Sequence, residues 1–165
     1  MPSIPFVPTE FAVPDTLATD EFRLRMLTVN DVVKDYDAVI TSVEHLKTIW
    51  PGSGWPVGLT LEQNLIDLGW HQKEFQTRRS FAYTVVTPSE SMVIGCVYIE
   101  PTYRQGYDAV VYLWARQSEL VGGLESRLHA AVKEWISSRW PFKAVGFPGR
   151  DISSDAWHAI PKEKR

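Results

Sequence analysis

The segment from Phe81 to Trp135 constrains this chain more than any other. Two runs rich in aromatic and β-branched side chains, Ser80 to Val86 and Met92 to Glu100, flank the polar turn Thr87 to Ser91, which contains Pro88. Such a pattern predicts an antiparallel hairpin. Asp108 to Trp114 reads as a further strand, and Gly122-Gly123 then opens a helical pattern from Leu124 to Trp140. The apolar face of that helix is Leu124, Leu128, Ala131, Val132, Trp135 and Ile136. A strand feeding a glycine-bearing loop at a helix N-terminus gathers unpaired N–H groups and the positive end of a dipole at one point. That point suits a phosphate, and it is equally an ordinary strand-to-helix connection.

The flanking segments complete the layout. Pro2, Pro5, Pro8 and Pro14 forbid a regular helix in the first twenty residues, so 1–20 is expected to be an extended arm packed through Phe6, Phe11 and Val13. Phe22-Arg23-Leu24-Arg25-Met26 alternates like a half-exposed strand, and Thr28 or Asn30 can cap a helix beginning near Asp31. Helical spacing of Ala38, Ile40, Val43, Leu46 and Ile49 continues, with a break allowed, to Trp50, where Pro51, Gly52, Gly54 and Pro56 end it. Thr60 followed by Gln63 is a capping-box signature; Leu61, Leu65 and Leu68 are the expected apolar stripe of a second helix, which runs to about Thr77. Lys143 to Phe147 is the last strand, and a short helix over Asp155 to Ile160 closes the chain. The order is strand, helix, helix, strand, strand, strand, helix, strand: a mixed α/β sheet whose last strand returns through a helical crossover, parallel to its predecessor.

Length and charge narrow the function classes. The 165 residues fit one domain over 21–165 behind the arm. The longest apolar run, Met92 to Ile99, is too short to span a bilayer. With 17 basic and 20 acidic residues, a formal net charge of -3 and no Lys/Arg cluster, neither nucleic acid nor a membrane surface is an expected partner. One cysteine, Cys96, and a start without basic and apolar signal segments imply a cytoplasmic location.

This order of elements resembles the GNAT superfamily of acyl-CoA-dependent N-acyltransferases from Phe22 to about Phe147. Phe22-Arg23-Leu24-Arg25 before a capped helix, Ile94-Gly95-Cys96-Val97-Tyr98, and Val111-Tyr112-Leu113-Trp114 carry the likeness. The resemblance implies that the Asp108 strand splays from the Lys143 strand to admit the pantetheine arm of acetyl-CoA or another acyl-CoA along Leu113, Trp114 and Ala115. It further implies that Val121, Gly122 and Gly123 hold the pyrophosphate. The expected acceptor is a small amine or a protein amino group, and a catalytically inactive ligand-binding or protein-interaction module is the alternative. The family loop pattern is Gln or Arg, two residues, Gly, one residue, Gly or Ala. Aligned on Gln117 it meets Leu120 then Gly122; aligned on Glu119 it meets Gly122 then Leu124. A carboxylate about 5 Å from a pyrophosphate charge repels it by about 1 kcal/mol at an effective dielectric near 80 and by several at 20, so Arg116 or Arg104 would have to turn inward to offset Glu119. Only eighteen residues follow Phe147, and the last tyrosine is Tyr112, so the tyrosine acid of many members has no counterpart there; His158 is the one titratable aromatic of that segment.

Acyl transfer to an amine needs a base, donors for the oxyanion and a proton for the leaving thiolate. Glu100 and Asp108, at strand ends that can open onto a cleft, are the candidate catalytic bases. Trp50 and Trp55, on a Pro/Gly frame, can wall an acceptor pocket through apolar and cation–π contact. Cys96 reads as a buried structural thiol, and His45, His71 and His129 lack ligand spacing, so no metal site is expected.

Overall fold

The sheet begins earlier than the strand pattern predicts. In the computed structural model, which describes residues 4–163, Thr16–Ala18 forms β1, antiparallel to β2 (Arg23–Met26), within the stretch expected to be an extended arm. Thr19 closes this hairpin, its hydroxyl accepting from the N–H groups of Glu21 (3.2 Å) and Phe22 (3.1 Å). Pro2 lies outside the described residues. The rest of the arm packs as its aromatics imply: Val7 is buried, Phe6 stacks on Phe81 and Phe142, and Phe11 lies against Trp140.

After β2 the Asp31 carboxylate accepts from the Thr28 N–H at 2.9 Å, and a 3-10 turn (Val29–Asp31) leads into α1 (Val32–Ile40). The break allowed by the spacing falls at Thr41-Ser42, and the helical segment resumes as α2 (Val43–Ile49). There the Thr41 hydroxyl donates to the Asp37 carbonyl (2.6 Å), while the Ser42 hydroxyl accepts from the Gln117 N–H (3.0 Å). The capping box at Thr60 and Gln63 forms in full and starts α3 (Leu61–Gln76). Its buried stripe differs from the expectation. Leu61 and Leu65 are 46% and 42% exposed, and the helix turns Asn64, Leu68, His71 and Phe75 inward at spacings of four, three and four.

The predicted hairpin is β3 (Phe81–Val86) and β4 (Val93–Pro101), followed antiparallel by β5 (Ala109–Ala115). Gly95 lets β5 approach closely: a Cβ there would stand 2.4 Å from the Trp114 carbonyl oxygen. The 3-10 turn Gln117–Glu119 leads to α4 (Leu124–Arg139), which crosses to β6 (Val145–Gly146), parallel to β5 and shorter than predicted. The terminal helix is α5 (Ser154–Ala159), seated by Trp157 against Gly146 and Tyr107. The six strands thus lie in sequence order in one sheet. One core, including Val85, Val97 and Leu113, packs under α4; the other, including Leu27, Cys96 and Trp114, packs under α1 to α3. No helix among the described residues is long and apolar enough to cross a membrane.

Candidate functional site

β5 and β6 pair at two positions only, Ala109 with Val145 and Val110 with Gly146. Beyond these β5 continues to Ala115, whereas the other chain turns away at Phe147 to Arg150, with Gly149 at a φ of 79°. Between the diverging segments lies a cleft of about 750 Å³, lined by Tyr112, Leu113, Glu125 and Arg150, with α5 on one side and 45–53 on the other. Sheet geometry makes such a splay consequential, since it leaves the main-chain groups on one edge of a strand without a strand partner.

Side chains meet two of those groups. The Ala115 N–H donates to Glu125 Oε2 at 2.9 Å, and Arg150 Nη2 donates to the Leu113 carbonyl at 2.8 Å. Arg150 and Glu125 pair with each other at 3.1 Å, and His45 Nε2 contacts the same Glu125 oxygen as Ala115. Burial pushes the Glu125 carboxyl up, but the Ala115 amide, His45 and Arg150 together outweigh it and hold the group below the usual glutamate range.

At the mouth of α4 the Gly123 N–H is committed to the Leu120 carbonyl (3.0 Å), and the N–H groups of Val121 and Gly122 have no hydrogen-bond partner among the described residues. Gly123 has a φ of 76°, which favours glycine, whereas a Cβ on Gly122 meets nothing nearer than 3.7 Å. Val121 is fully exposed. The two arginines expected to offset Glu119 turn elsewhere. Arg116 is buried against Asp37 (2.7 Å), and Arg104 donates to the carbonyls of His158 (3.1 Å) and Ile160 (2.8 Å). Arg127 stands at the loop instead, donating to the Gly122 carbonyl at 2.7 Å while paired with Glu21.

Among the other expected site residues, Leu113 and Trp114 have buried side chains, and the Trp114 indole donates to Tyr98 Oη at 3.2 Å; the Trp114 carbonyl faces Gly95 of β4, so of the two only the Leu113 backbone faces the splay. Glu100 lies toward the α1 to α3 side of the sheet beside a second cavity that Trp50 and Trp55 also line, and burial raises its carboxyl above the usual range. Asp108 is separated from this group. It sits at the opposite end of β5 from the splay, where its Oδ2 accepts from the N–H groups of Lys143 (2.5 Å) and Ala144 (3.2 Å) and anchors the entry to β6. Cys96 is buried, and burial pushes its thiol upward. His158 borders the cleft, with Nδ1 2.7 Å from the Ser154 carbonyl.

Glu125, Arg150 and His45 were absent from the sequence-based site. An acid in the first turn of a helix reads as dipole compensation. Arg150 and His45, 25 and 80 residues from Glu125, carry no local signal of their meeting.

No family model and no curated protein matches the sequence. Solved structures do. RimJ from Mycobacterium smegmatis, in complex with a CoA disulfide, superposes with a TM-score of 0.62 at 15% identity, over 84% of this chain and 68% of that one. The ribosomal-protein-S5-alanine acetyltransferase of Vibrio fischeri gives 0.60 at 17% identity, over 73% of this chain and 66% of its own. A Bordetella pertussis protein assigned to the GnaT acetyltransferase family gives 0.56 at 14% identity, over 76% and 74%. At these identities the likeness concerns the fold, and the chain has the GNAT fold.

Proposed function

We propose that this protein transfers an acyl group from an acyl-CoA, acetyl-CoA in the first instance, to an amino group. The observation that carries this reading is the two-position pairing of β5 with β6 beside the unpartnered amides of Val121 and Gly122. The splay offers a slot for a pantetheine arm, and the amides offer donors to a pyrophosphate at the positive end of α4. A CoA disulfide bound to the RimJ structure agrees with a fold of this type accepting the cofactor. In the slot the thioester carbonyl would meet the Leu113 N–H, which leaves the strand on the same edge as its carbonyl, as donor to the developing oxyanion. The amine nitrogen bonds the acyl carbon, the C–S bond breaks, and the amine proton passes to Glu100 directly or through water. The departing thiolate takes its proton within the cleft, whose titratable O–H and N–H groups are those of Tyr112, His45 and His158.

A second reading, a GNAT-fold module without catalysis, is favoured by one specific arrangement: Leu113 C=O and Ala115 N–H are already bonded to Arg150 and Glu125, which also pair with each other. Calorimetric titration with acetyl-CoA separates the two. Saturable binding that weakens with dephospho-CoA supports transfer; no heat at millimolar cofactor removes it. Gly122→Glu sharpens the test, because its side chain has open space and should leave stability within about 0.5 kcal/mol. It should abolish cofactor binding by placing a carboxylate at the amide mouth, and unchanged affinity would rule the mouth out as the phosphate site.

A further inference from the structure

Behind Trp50 and Trp55, between α1, α3 and β4, lies a cavity of about 250 Å³. Three carboxylates line it, Asp35, Asp67 and Glu100, and no lysine or arginine does among the described residues. Asp35 is the buried one, 4% exposed. Asn64 Nδ2 donates to its Oδ2 at 2.9 Å, and Oδ1 has no hydrogen-bond partner among the described residues. His71 lines it too, and burial lowers its imidazole to about 4, so it carries no positive charge at neutral pH. Burying an acid without a cation is costly, and the usual solution is an internal partner. Here Lys34, adjacent in sequence, donates instead to the Glu90 carbonyl at 2.7 Å, and Arg25 is committed to Asp31 and Glu90.

The remaining walls are aromatic. The Trp50 ring centre stands 5.4 Å from that of Trp55 and 5.6 Å from that of Tyr98, both near edge-on, so π faces and buried carboxylate serve one space. We propose that this chamber binds a compact primary ammonium ion bearing one small apolar group, with the charge at Asp35 and the apolar part against Trp50, Trp55 and Tyr98. A cation over aromatic faces and beside a desolvated carboxylate gains from both at once. The volume corresponds to about eight water molecules of liquid, which limits the ligand to roughly that many non-hydrogen atoms. Trp50 and Ser53 also line the β5/β6 cleft, so the two spaces meet across one indole. The further step, that this ammonium compound is the acyl acceptor once Glu100 has taken its proton, rests on the acyl-transfer reading; its binding does not.

The test is calorimetry on the whole protein without cofactor at pH 7.5, using benzylammonium, its neutral isostere benzyl alcohol, and benzoate. Benzylammonium is expected to bind in the millimolar range or tighter, benzyl alcohol about tenfold more weakly, and benzoate not at all. Asp35→Asn should cost benzylammonium about tenfold while leaving benzyl alcohol unchanged. Glu100→Gln, on a less buried site, should move the same ratio by about threefold and serves where the first variant fails to fold. Equal affinity for ammonium and alcohol, or no binding of either, overturns the proposal. Acetyl-CoA titrated separately keeps the two ideas apart. Cofactor binding without amine discrimination overturns the chamber alone, and amine discrimination without cofactor binding upholds the chamber and removes the transfer chemistry.

Discussion

Asp35 and Glu125 respond to pH in opposite directions. Desolvation raises Asp35 from an ordinary 3.8 to about 6, with Asn64 lowering it and Asp31 and Asp67 adding to the rise. Between those values the folded chain holds a proton that the unfolded chain has lost, so the Asp35 contribution is full below about pH 4 and is lost as pH rises through 6. A shift of about two units corresponds to about 3 kcal/mol. Urea midpoints of Asp35→Asn against wild type should therefore coincide near pH 4 and separate at pH 7.5, the variant gaining up to about 3 kcal/mol; a constant difference at both values would mean that the ionised carboxylate is compensated in the fold. For Glu125 the sign reverses. Its lowered carboxyl gives stability that is present above the ordinary glutamate value and lost as pH falls through the folded one. A buried acid that weakens the fold at neutral pH and has no internal cation is the kind of strain that binding sites retain.

At the level of elements, α5 owes its position to one glycine. A Cβ on Gly146 would stand 2.3 Å from the Trp157 ring, and Trp157 is the one buried side chain of α5. Gly146→Ala should lower stability by about 1–3 kcal/mol through this overlap. It should also loosen the cleft wall carrying Ser154, Asp155 and His158, read as a fall in the thermal midpoint. An unchanged midpoint would mean that the helix shifts freely on the sheet. Elements whose signals are local were legible in the sequence: the Thr60 capping box, the β3/β4 hairpin, and the α4 stripe of Leu124, Leu128, Val132, Trp135 and Ile136 all form where the residues predict. The inward face of α3 was not, because Asn64 and His71 are polar and the outward Leu61 and Leu65 are apolar, so hydrophobicity pointed to the wrong side of the helix. β1 was hidden for a similar reason. Thr16–Ala18 is a three-residue edge strand, too short to show an alternation, and its hairpin is closed by the Thr19 turn. At the candidate site Trp50, Trp55 and Glu100 meet as sequence position permits, whereas Asp108 is taken by the backbone of Lys143 and Ala144, a contact that spacing cannot reveal.

Across the whole molecule the sheet works as a divider. Glu100 and Tyr98 face the helices α1 to α3, Leu113 faces α4, and the cleft at the end of β5 joins the two sides past Trp50. On the acyl-transfer reading, the bridge of Glu125 and Arg150 on β5 would limit passage, since a pantetheine arm lying along the strand would need the Leu113 and Ala115 groups they hold. Displacing the bridge gives up an ion pair and two charge-assisted hydrogen bonds, each of the latter worth about 1.5–3 kcal/mol, and every unit of that cost subtracts from cofactor affinity. Glu125→Ala removes the bridge in advance together with a negative charge near the proposed diphosphate path. Its thermal stability should fall by about 2–3 kcal/mol, and its affinity for acetyl-CoA should rise by about tenfold or more over wild type. The same pair of titrations tells the two functional readings apart. Binding by wild type with a gain in the variant makes the bridge a placeholder in a working cleft; binding by the variant alone makes it the element that closed the cleft to cofactor. Silence from both, with the variant folded, would leave the splay of β5 and β6 as a structural feature with no acyl-CoA to admit.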